Sequence, residues 1–148
     1  MPRTKIGNIE MYYEVHGSGE PIVLIHGLSM DSSTWFNQVP ILSQKYQVVV
    51  FDNRGVGQTD APHGFAGQVA ALMKHDTRSR ISQISVPTLV LIGGDDIFIP
   101  IEFSEELAGK IPKAELVALE RGGHNCWMEF PELFNQAVMQ FLDGVTSM

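Results

Sequence analysis

Long hydrophobic runs are missing from this sequence, and cysteine occurs once. No apolar stretch approaches the roughly 20 residues that a membrane-spanning helix needs, and no hydrophobic core typical of a secretory signal follows residues 1–5. Cys126 is the single cysteine, so an internal disulfide is excluded. We therefore expect a cytoplasmic protein that has no membrane as a partner.

Positive charge is also scarce. Lysine and arginine together number 10 against 17 aspartates and glutamates, which gives a net charge of −7 at pH 7. The basic residues are scattered along the chain, whereas phosphate binding needs them clustered. The sequence therefore disfavours nucleic acid and anionic membranes as partners, and it leaves a neutral small molecule open.

The loop from Asp52 to Thr59 is dense in turn-forming residues but is not a phosphate-binding loop. It lacks the Gly-Lys-Ser/Thr ending, and no Gly-x-Gly-x-x-Gly occurs in the chain. We interpret this loop as structural, with Arg54 paired to a carboxylate and the glycines in turns. No cofactor and no metal are expected.

Four short apolar runs, each closed by Gly or Asp, predict the fold. Such runs are typical of parallel strands buried on both faces, and the stretches between them have helical spacing. Alternation over residues 4–16 predicts an N-terminal antiparallel hairpin. The 148 residues are thus expected to form one α/β domain, with a mostly parallel sheet of about six strands and about four helices. The runs are 21–25, 48–51, 88–92 and 116–119. The alternating hairpin residues, predicted as its apolar face, are Ile9, Met11, Tyr13 and Val15.

Caps and breakers predict where the helices begin and end. One helix is expected after an N-cap at Ser32 or Ser33, and another over 65–84. A third begins at Ser104. The last helix is expected to begin at Pro131 and to end at Gly144.

Two strand ends carry an acid and a base. Asp96 follows the run that ends at Gly93, and His124 follows the next run after two glycines. A carboxylate that fixes the tautomer of an imidazole and stabilises its charged form is what general-base chemistry requires. We interpret the two residues as an acid–base pair or the remnant of one, although a single histidine after Gly-Gly is more simply a surface loop residue.

His26 and Gly27 end the first run. Gly27 permits a tight turn, which would expose the amides of Leu28 and Ser29 to an oxyanion. Open α/β sheets bind their ligands at such strand ends. By itself, however, this pair more often only ends a strand.

Together these pieces resemble the α/β-hydrolase superfamily, especially its esterases, enol-lactonases and bromoperoxidase-like members. The resemblance runs nearly end to end and implies that fold and activity on a small ester or lactone. It also implies Asp96 and His124 as triad acid and base, with the Leu28 amide beside Gly27 as oxyanion donor. The matching segments are His26-Gly27-Leu28 with Trp35, Asp52-x-Arg54-Gly55-x-Gly57-x-Thr59, Val86-Pro87-Thr88-Leu89-Val90, Gly93-x-x-Asp96-x-x-x-Pro100, and Gly122-Gly123-His124 with Glu129-x-Pro131.

The nucleophile of that family has no counterpart, because no Gly-x-Ser-x-Gly occurs. By the resemblance, the nucleophile strand, the next central strand and the cap are replaced by a seam at 60–64. Ser29, on a strand-to-helix turn, is one replacement nucleophile. Cys126 is another, but we expect it to be buried as a small apolar residue. Water activated by His124 is the third.

The missing strands deprive the runs at 21–25 and 88–92 of their usual neighbours. These strands pair with each other, or another chain supplies the pairing through a sheet edge or a domain swap. We therefore predict a homo-oligomer.

Two functional hypotheses follow: a weak hydrolase of small esters or lactones with a His-Asp pair, and a catalytically inactive scaffold that acts as a binding or assembly module.

Overall fold

The computed structural model describes residues 2–61 and 63–146. The chain divides into two compact units, Met1–His75 and Asp76–Met148. Pro62, within the seam expected at 60–64, lies outside the described residues. The assignment of residues 1–148 to one domain stays a prediction.

The first unit is built on a four-stranded sheet in the order β1-β2-β4-β3. β1 (Arg3–Ile6) and β2 (Ile9–His16) form the expected antiparallel hairpin. β2 continues antiparallel to β4 (Gln47–Phe51), and β4 pairs parallel with β3 (Pro21–Leu24). The N-terminal hairpin is therefore confirmed.

One face of this sheet is buried by Tyr12, Val48 and Val50. The alternate residues of β2 were expected to form the apolar face, but of these only Ile9 is buried, and Val15 is 48% exposed. That expectation was wrong because Tyr12, not its neighbours in β2, lies on the same side of the sheet as the buried valines of β4. β4 also contacts the helical segment that follows β3.

A 3-10 helix (Ser32–Trp35) and α1 (Val39–Leu42) contact β4. The N-cap is Asp31, whose Oδ1 accepts a hydrogen bond from the Ser33 backbone N–H at 3.0 Å. The cap therefore precedes the predicted serines by one residue. Pro40 lies in the first turn of α1, where its missing N–H leaves no hydrogen bond unmade.

α2 (Gly64–Lys74) is shorter than the helix expected over 65–84. A separate 3-10 helix follows at Ile81–Gln83. Between them, Asp76 Oδ1 accepts a hydrogen bond from the Arg78 backbone N–H at 3.0 Å. Such a local side-chain turn competes with helix formation, which explains the early end.

The second unit contains a two-stranded parallel sheet. β5 (Thr88–Gly93) and β6 (Ala114–Leu119) are joined by α3 (Ile101–Lys110). α4 (Cys126–Glu129) and α5 (Pro131–Thr146) follow β6. This order brings the two loops after the strands to the same edge of the sheet.

Two helix ends in this unit differ from expectation. α3 begins at Ile101, directly after Pro100, rather than at Ser104. α5 continues through Gly144, which was expected to stop it. A helical glycine costs about 1 kcal/mol relative to alanine, which the packing of a long amphipathic helix can offset.

The α/β class is confirmed, but the six strands of the described residues divide between two sheets where one mostly parallel sheet was expected. Two strand pairings are parallel and two are antiparallel. Within residues 2–61 and 63–146, β3 and β5 are edge strands that are each hydrogen-bonded to one neighbour. β3 is exposed on the face that carries Pro21 and Val23, not buried on both faces as expected. None of the described helices is long and apolar enough to cross a membrane.

Candidate active site

The side chains of Asp96 and His124 meet at the carboxyl ends of β5 and β6. In this parallel pair Gly93 lies opposite Leu119, so both following loops leave the same edge of the sheet. Nδ1 of His124 lies 2.9 Å from Oδ2 of Asp96, within hydrogen-bond distance. The second unit thus brings together the two side chains that were predicted to form an acid–base pair.

The carboxylate of Asp96 is held by its own loop. Its Oδ1 accepts hydrogen bonds from the backbone N–H groups of Phe98, at 2.8 Å, and Ile99, at 3.0 Å. Desolvation favours the neutral acid, but the hydrogen bonds from Ile99, His124 and Phe98 outweigh it and lower the pKa of Asp96. Asp96 is therefore an oriented carboxylate that is ionised at neutral pH.

The imidazole of His124 is more open than its partner. Its side chain is 49% exposed, whereas that of Asp96 is 6% exposed. In the part of the chain that the structure describes, no hydrogen bond engages Nε2 of His124. If Nδ1 carries the proton shared with Asp96, Nε2 is the nitrogen available to accept one.

Close backbone packing fixes the position of the histidine loop. A Cβ added at Gly93 would lie 2.2 Å from the carbonyl oxygen of Gly122, so the end of β5 has to be glycine. The Gly123 N–H donates to Oε2 of Glu129 at 2.9 Å. Glu129 had no predicted role, although the motif Glu129-x-Pro131 indicated that the position is constrained.

A small cavity lies beside the pair. Its volume is about 210 Å³, and the Phe98 ring packs edge-on against the His124 imidazole with centroids 5.6 Å apart. A cavity of this size is below the range of about 300–1,000 Å³ that is typical of drug-sized ligands. Besides the pair, its lining includes Leu91, Ile99, Ser104, Trp127 and Phe134.

Cys126 also lines this cavity but is a poor nucleophile. The residue is buried, as the sequence analysis expected. Desolvation, followed by the charge of Glu129, raises the pKa of the Cys126 thiol. Since the thiolate is the reactive form, this environment suppresses its reactivity.

Gly27, Leu28 and Ser29 belong to the first unit, in the loop after β3. Ser29 has a φ of +63, in the left-handed region that serine rarely adopts. Its backbone N–H donates to Oε1 of Gln68 at 3.1 Å, and Nε2 of Gln68 donates to the Arg54 carbonyl at 3.0 Å. Gln68 of α2 therefore ties together the loops that follow β3 and β4.

Arg54 has a different partner from the one expected. Its guanidinium donates to Oδ1 of Asn8 at 3.0 Å rather than pairing with a carboxylate. The reason is the hairpin turn, which presents the Asn8 amide to the loop.

A cavity of about 460 Å³ adjoins Arg54 and Gln68, and its lining also includes His26, Gly27, Leu28 and Leu72.

His26 is a packed residue of this loop. It is 8% exposed, its ring stacks on Trp35 at 5.6 Å between centroids, and neither ring nitrogen has a hydrogen-bond partner in the described ranges. Desolvation lowers the pKa of His26, partly offset by the charges of Asp52 and Asp31. The imidazole is therefore neutral at physiological pH.

Curated proteins match the chain in part. A family model described as the α/β hydrolase fold matches residues 20–73. The putative carbamate hydrolase RutD of Caulobacter vibrioides is 34% identical over 77 residues, which are 52% of this chain and 29% of that protein. The putative non-heme chloroperoxidase of Synechocystis sp. is 32% identical over 99 residues, which are 63% of this chain and 35% of that protein. The chain thus spans about a third of the length of these curated relatives.

Solved structures match over most of the chain. A hydrolase from Pseudomonas aeruginosa PA01 matches with a TM-score of 0.90 at 17% identity, over 95% of this chain and 97% of that one. The enol-lactonase from Burkholderia xenovorans LB400 matches with a TM-score of 0.83 at 18% identity, over 96% and 100%. At these identities the structures show the fold alone. With the family match over residues 20–73, they show that the chain has an α/β-hydrolase-like fold, and the resemblance drawn from the motifs is confirmed.

Proposed function

We propose that this protein is a weak hydrolase of small esters or lactones, in which His124 is the general base and Asp96 orients it. The observation that carries the proposal is the 2.9 Å contact between Nδ1 of His124 and Oδ2 of Asp96. The other oxygen of Asp96 is already engaged by two backbone amides. An acid fixed in this way holds the imidazole in the tautomer that a general base needs.

The proposed reaction uses water as the nucleophile. Nε2 of His124 takes a proton from the water as its oxygen attacks the acyl carbon, and the ionised Asp96 stabilises the imidazolium. Collapse of the tetrahedral intermediate breaks the bond to the leaving oxygen, which receives that proton. The products are a carboxylic acid and an alcohol, or a hydroxy acid from a lactone.

Ser29 is the alternative nucleophile in this proposal. Its left-handed turn is the kind of strained backbone on which a hydroxyl is presented, and the Gln68 contact fixes the turn. The Leu28 amide, beside Gly27, is the proposed oxyanion donor, whereas the Ser29 N–H already donates to Gln68. We favour water because the base and its orienting acid both lie in the second unit.

A p-nitrophenyl acetate assay tests the proposal. We expect His124→Ala to remove the catalysed rate and Ser29→Ala to retain it. Because exposed imidazoles hydrolyse this ester unaided, His75→Ala is the control for that background and should lose only the small part of the rate that a free imidazole supplies. Equal rates for the wild type and His124→Ala would overturn the enzyme proposal. A loss in Ser29→Ala with a covalent serine adduct would transfer the nucleophile role to Ser29.

A catalytically inactive scaffold is the second proposal. The observation that favours it is the lack of a Gly-x-Ser-x-Gly sequence together with an open strand edge at β3. A scaffold of this kind would act as a binding or assembly module, and it predicts no rate difference among the variants above.

We further propose that the protein is a cytoplasmic homo-oligomer. The single cysteine supports a reducing compartment, since no internal disulfide is needed. The edge strands β3 and β5 support assembly, because unpaired strand edges recruit further strands.

A further inference from the structure

The hydrogen-bonding directions of β3 can be read from its first contact with β4. The Gln47 N–H donates to the carbonyl of Glu20 at 3.0 Å, so this carbonyl faces β4. Successive residues of a strand point their backbone groups in opposite directions. Ile22 and Leu24 therefore also face β4, and Val23 directs both its N–H and its carbonyl to the open edge.

Pro21 and Ile25 share the outward direction of Val23. Pro21 offers a carbonyl but no N–H, and Ile25, directly after the strand, offers an N–H. In the ranges that the structure describes, β4 is the one strand hydrogen-bonded to β3. The edge thus presents the Val23 and Ile25 N–H groups as donors and the Pro21 and Val23 carbonyls as acceptors.

The side chains along this edge are apolar and exposed. Val23 is 55% exposed and Ile25 is 66% exposed, and residues 21–25 carry no charge. The opposite edge of the sheet, β1, carries Arg3 and Lys5. Charged residues are a common means of preventing edge-to-edge association, so the two edges differ in their protection: β3 carries no charge, and Pro21 removes one donor from its first position.

A row of valines crosses the sheet at the same level. Val15 of β2 pairs with Val49 of β4, which pairs with Val23 of β3. Cross-strand partners lie on the same face, and here that face is the exposed one. A strand added beside β3 would extend the row if it presented an apolar residue opposite Val23.

We propose that β3 pairs antiparallel with β3 of a second copy of this chain, about a two-fold axis at Val23. Each Val23 N–H then donates to the carbonyl of Val23 of the partner subunit, and each Ile25 N–H donates to the carbonyl of Pro21 of the partner subunit. The Ile25 carbonyl faces Pro21 of the partner subunit, the one position where a donor is missing. A second copy therefore satisfies both donors and extends the valine row.

This arrangement specifies the proposed homo-oligomer and does not depend on catalysis. Loss of ester hydrolysis in a dimeric protein would contradict the proposed activity alone. A monomeric protein with full activity would contradict the dimer alone.

Sedimentation equilibrium of the full chain, from about 1 µM to 1 mM, tests the pairing. We expect a monomer–dimer equilibrium in the wild type and at least a tenfold weaker dimer in Val23→Lys, because like charges would face each other across the axis. Val15→Lys is the matched control: it adds the same charge to the same face of the sheet on β2, which β4 separates from β3, and it should dimerise as the wild type does. A monomeric wild type, or an unchanged Val23→Lys dimer, would overturn the proposal.

Cysteine cross-linking decides the geometry and covers the case in which Val23→Lys fails to fold. In a Cys126→Ser background, Val23→Cys should form a disulfide-linked dimer, since directly opposed residues lie at about 5.5 Å between Cα atoms. Ile6→Cys on β1 is the matched control and should stay monomeric. Failure of Val23→Cys to cross-link with itself would overturn the two-fold pairing. Cross-linking only to a Leu91→Cys chain would overturn it as well, because it would assign the contact to β5.

Discussion

Oδ2 of Asp52 occupies the space that a side chain on Gly57 would need. A Cβ added at Gly57 would lie 2.2 Å from this oxygen, which accepts a hydrogen bond from the Gln58 N–H at 2.7 Å. The other carboxylate oxygen accepts from the Ser32 N–H at 2.8 Å. A buried carboxylate therefore closes the loop after β4 and joins it to the first helical turn.

Gly57→Ala should destabilise the first unit. The residue has a φ of +55, where a non-glycine residue costs about 1–2 kcal/mol, and the clash with Asp52 adds to that cost. Urea unfolding followed by Trp35 fluorescence, in a Trp127→Phe background, measures the effect. Gly67→Ala is the control, because this helical glycine has no neighbour within 4 Å of an added Cβ, so a small stabilisation is expected. Equal stability of the two variants would contradict the prediction.

The stability of the first unit should fall with acid in two stages. Burial lowers the pKa of His26 in the folded state, so the unfolded chain binds the extra proton first, and stability falls as pH drops below about 6.5. Despite desolvation, hydrogen bonds from Gln58 and Ser32 lower the pKa of Asp52. Its contribution is present above the unfolded value of about 3.9 and is lost as pH falls through the lower folded value.

The His26→Phe variant isolates the first stage. Phenylalanine keeps an aromatic ring against Trp35 and removes the titrating group, so the slope of stability between pH 6.5 and 4.5, roughly the histidine range, should decrease. Urea midpoints at several pH values measure this slope. Gly67→Ala changes no titratable group and should shift the curve without changing its slope. An unchanged slope in His26→Phe would assign the first stage to another group.

Glu129→Ala should loosen the loop that carries His124. Its carboxylate accepts the Gly123 N–H at 2.9 Å, and a hydrogen bond of this kind contributes about 0.5–1.5 kcal/mol. Urea unfolding followed by Trp127 fluorescence, in a Trp35→Phe background, should detect a loss of that size. Glu129→Gln keeps an acceptor oxygen and should recover most of it. Glu132→Ala, on α5, serves as the control for removing a nearby negative charge, and an equal loss there would assign the effect to charge.

Local sequence patterns were sufficient for the strands but not for their assembly. The run at 88–92 became β5 nearly residue for residue, because its apolar content and closing glycine are local properties. The division into two sheets was not foreseen, since strand pairing depends on residues distant in the chain. The prediction of the apolar face of the hairpin was wrong for the same reason, because Tyr12 is buried by contacts outside β2.

The candidate site shows the same limit. The contact between Asp96 and His124 could be expected because each follows a strand end in a recognisable motif, and both strands lie in one sheet. Asp52 and Gln68 were missed as organising residues, because their partners are backbone amides and carbonyls of other loops. No composition or spacing in the sequence marks such contacts.

Asp96→Asn should separate the orienting role of Asp96 from its role in the loop. The asparagine Oδ1 can still accept the amides of Phe98 and Ile99, so the loop should keep its conformation. Its amide group, however, would donate to Nδ1 of His124 and favour the tautomer that carries the proton on Nε2. A base in that tautomer cannot accept a proton from water. We therefore expect kcat for p-nitrophenyl acetate to fall by a factor of about 10²–10⁴, the range of general-base catalysis, with little change in KM.

The NMR spectrum of His124 supplies a readout that a merely structural role of Asp96 would not move. ¹⁵N chemical shifts should assign the proton to Nδ1 in the neutral wild type and to Nε2 in Asp96→Asn. Asp95→Asn is the matched control, because it removes the neighbouring charge while Asp96 keeps its contact with His124. A variant with the altered tautomer and an undiminished rate would exclude His124 as the base. A variant with a diminished rate and an unaltered tautomer would instead make Asp96 a structural residue of its loop.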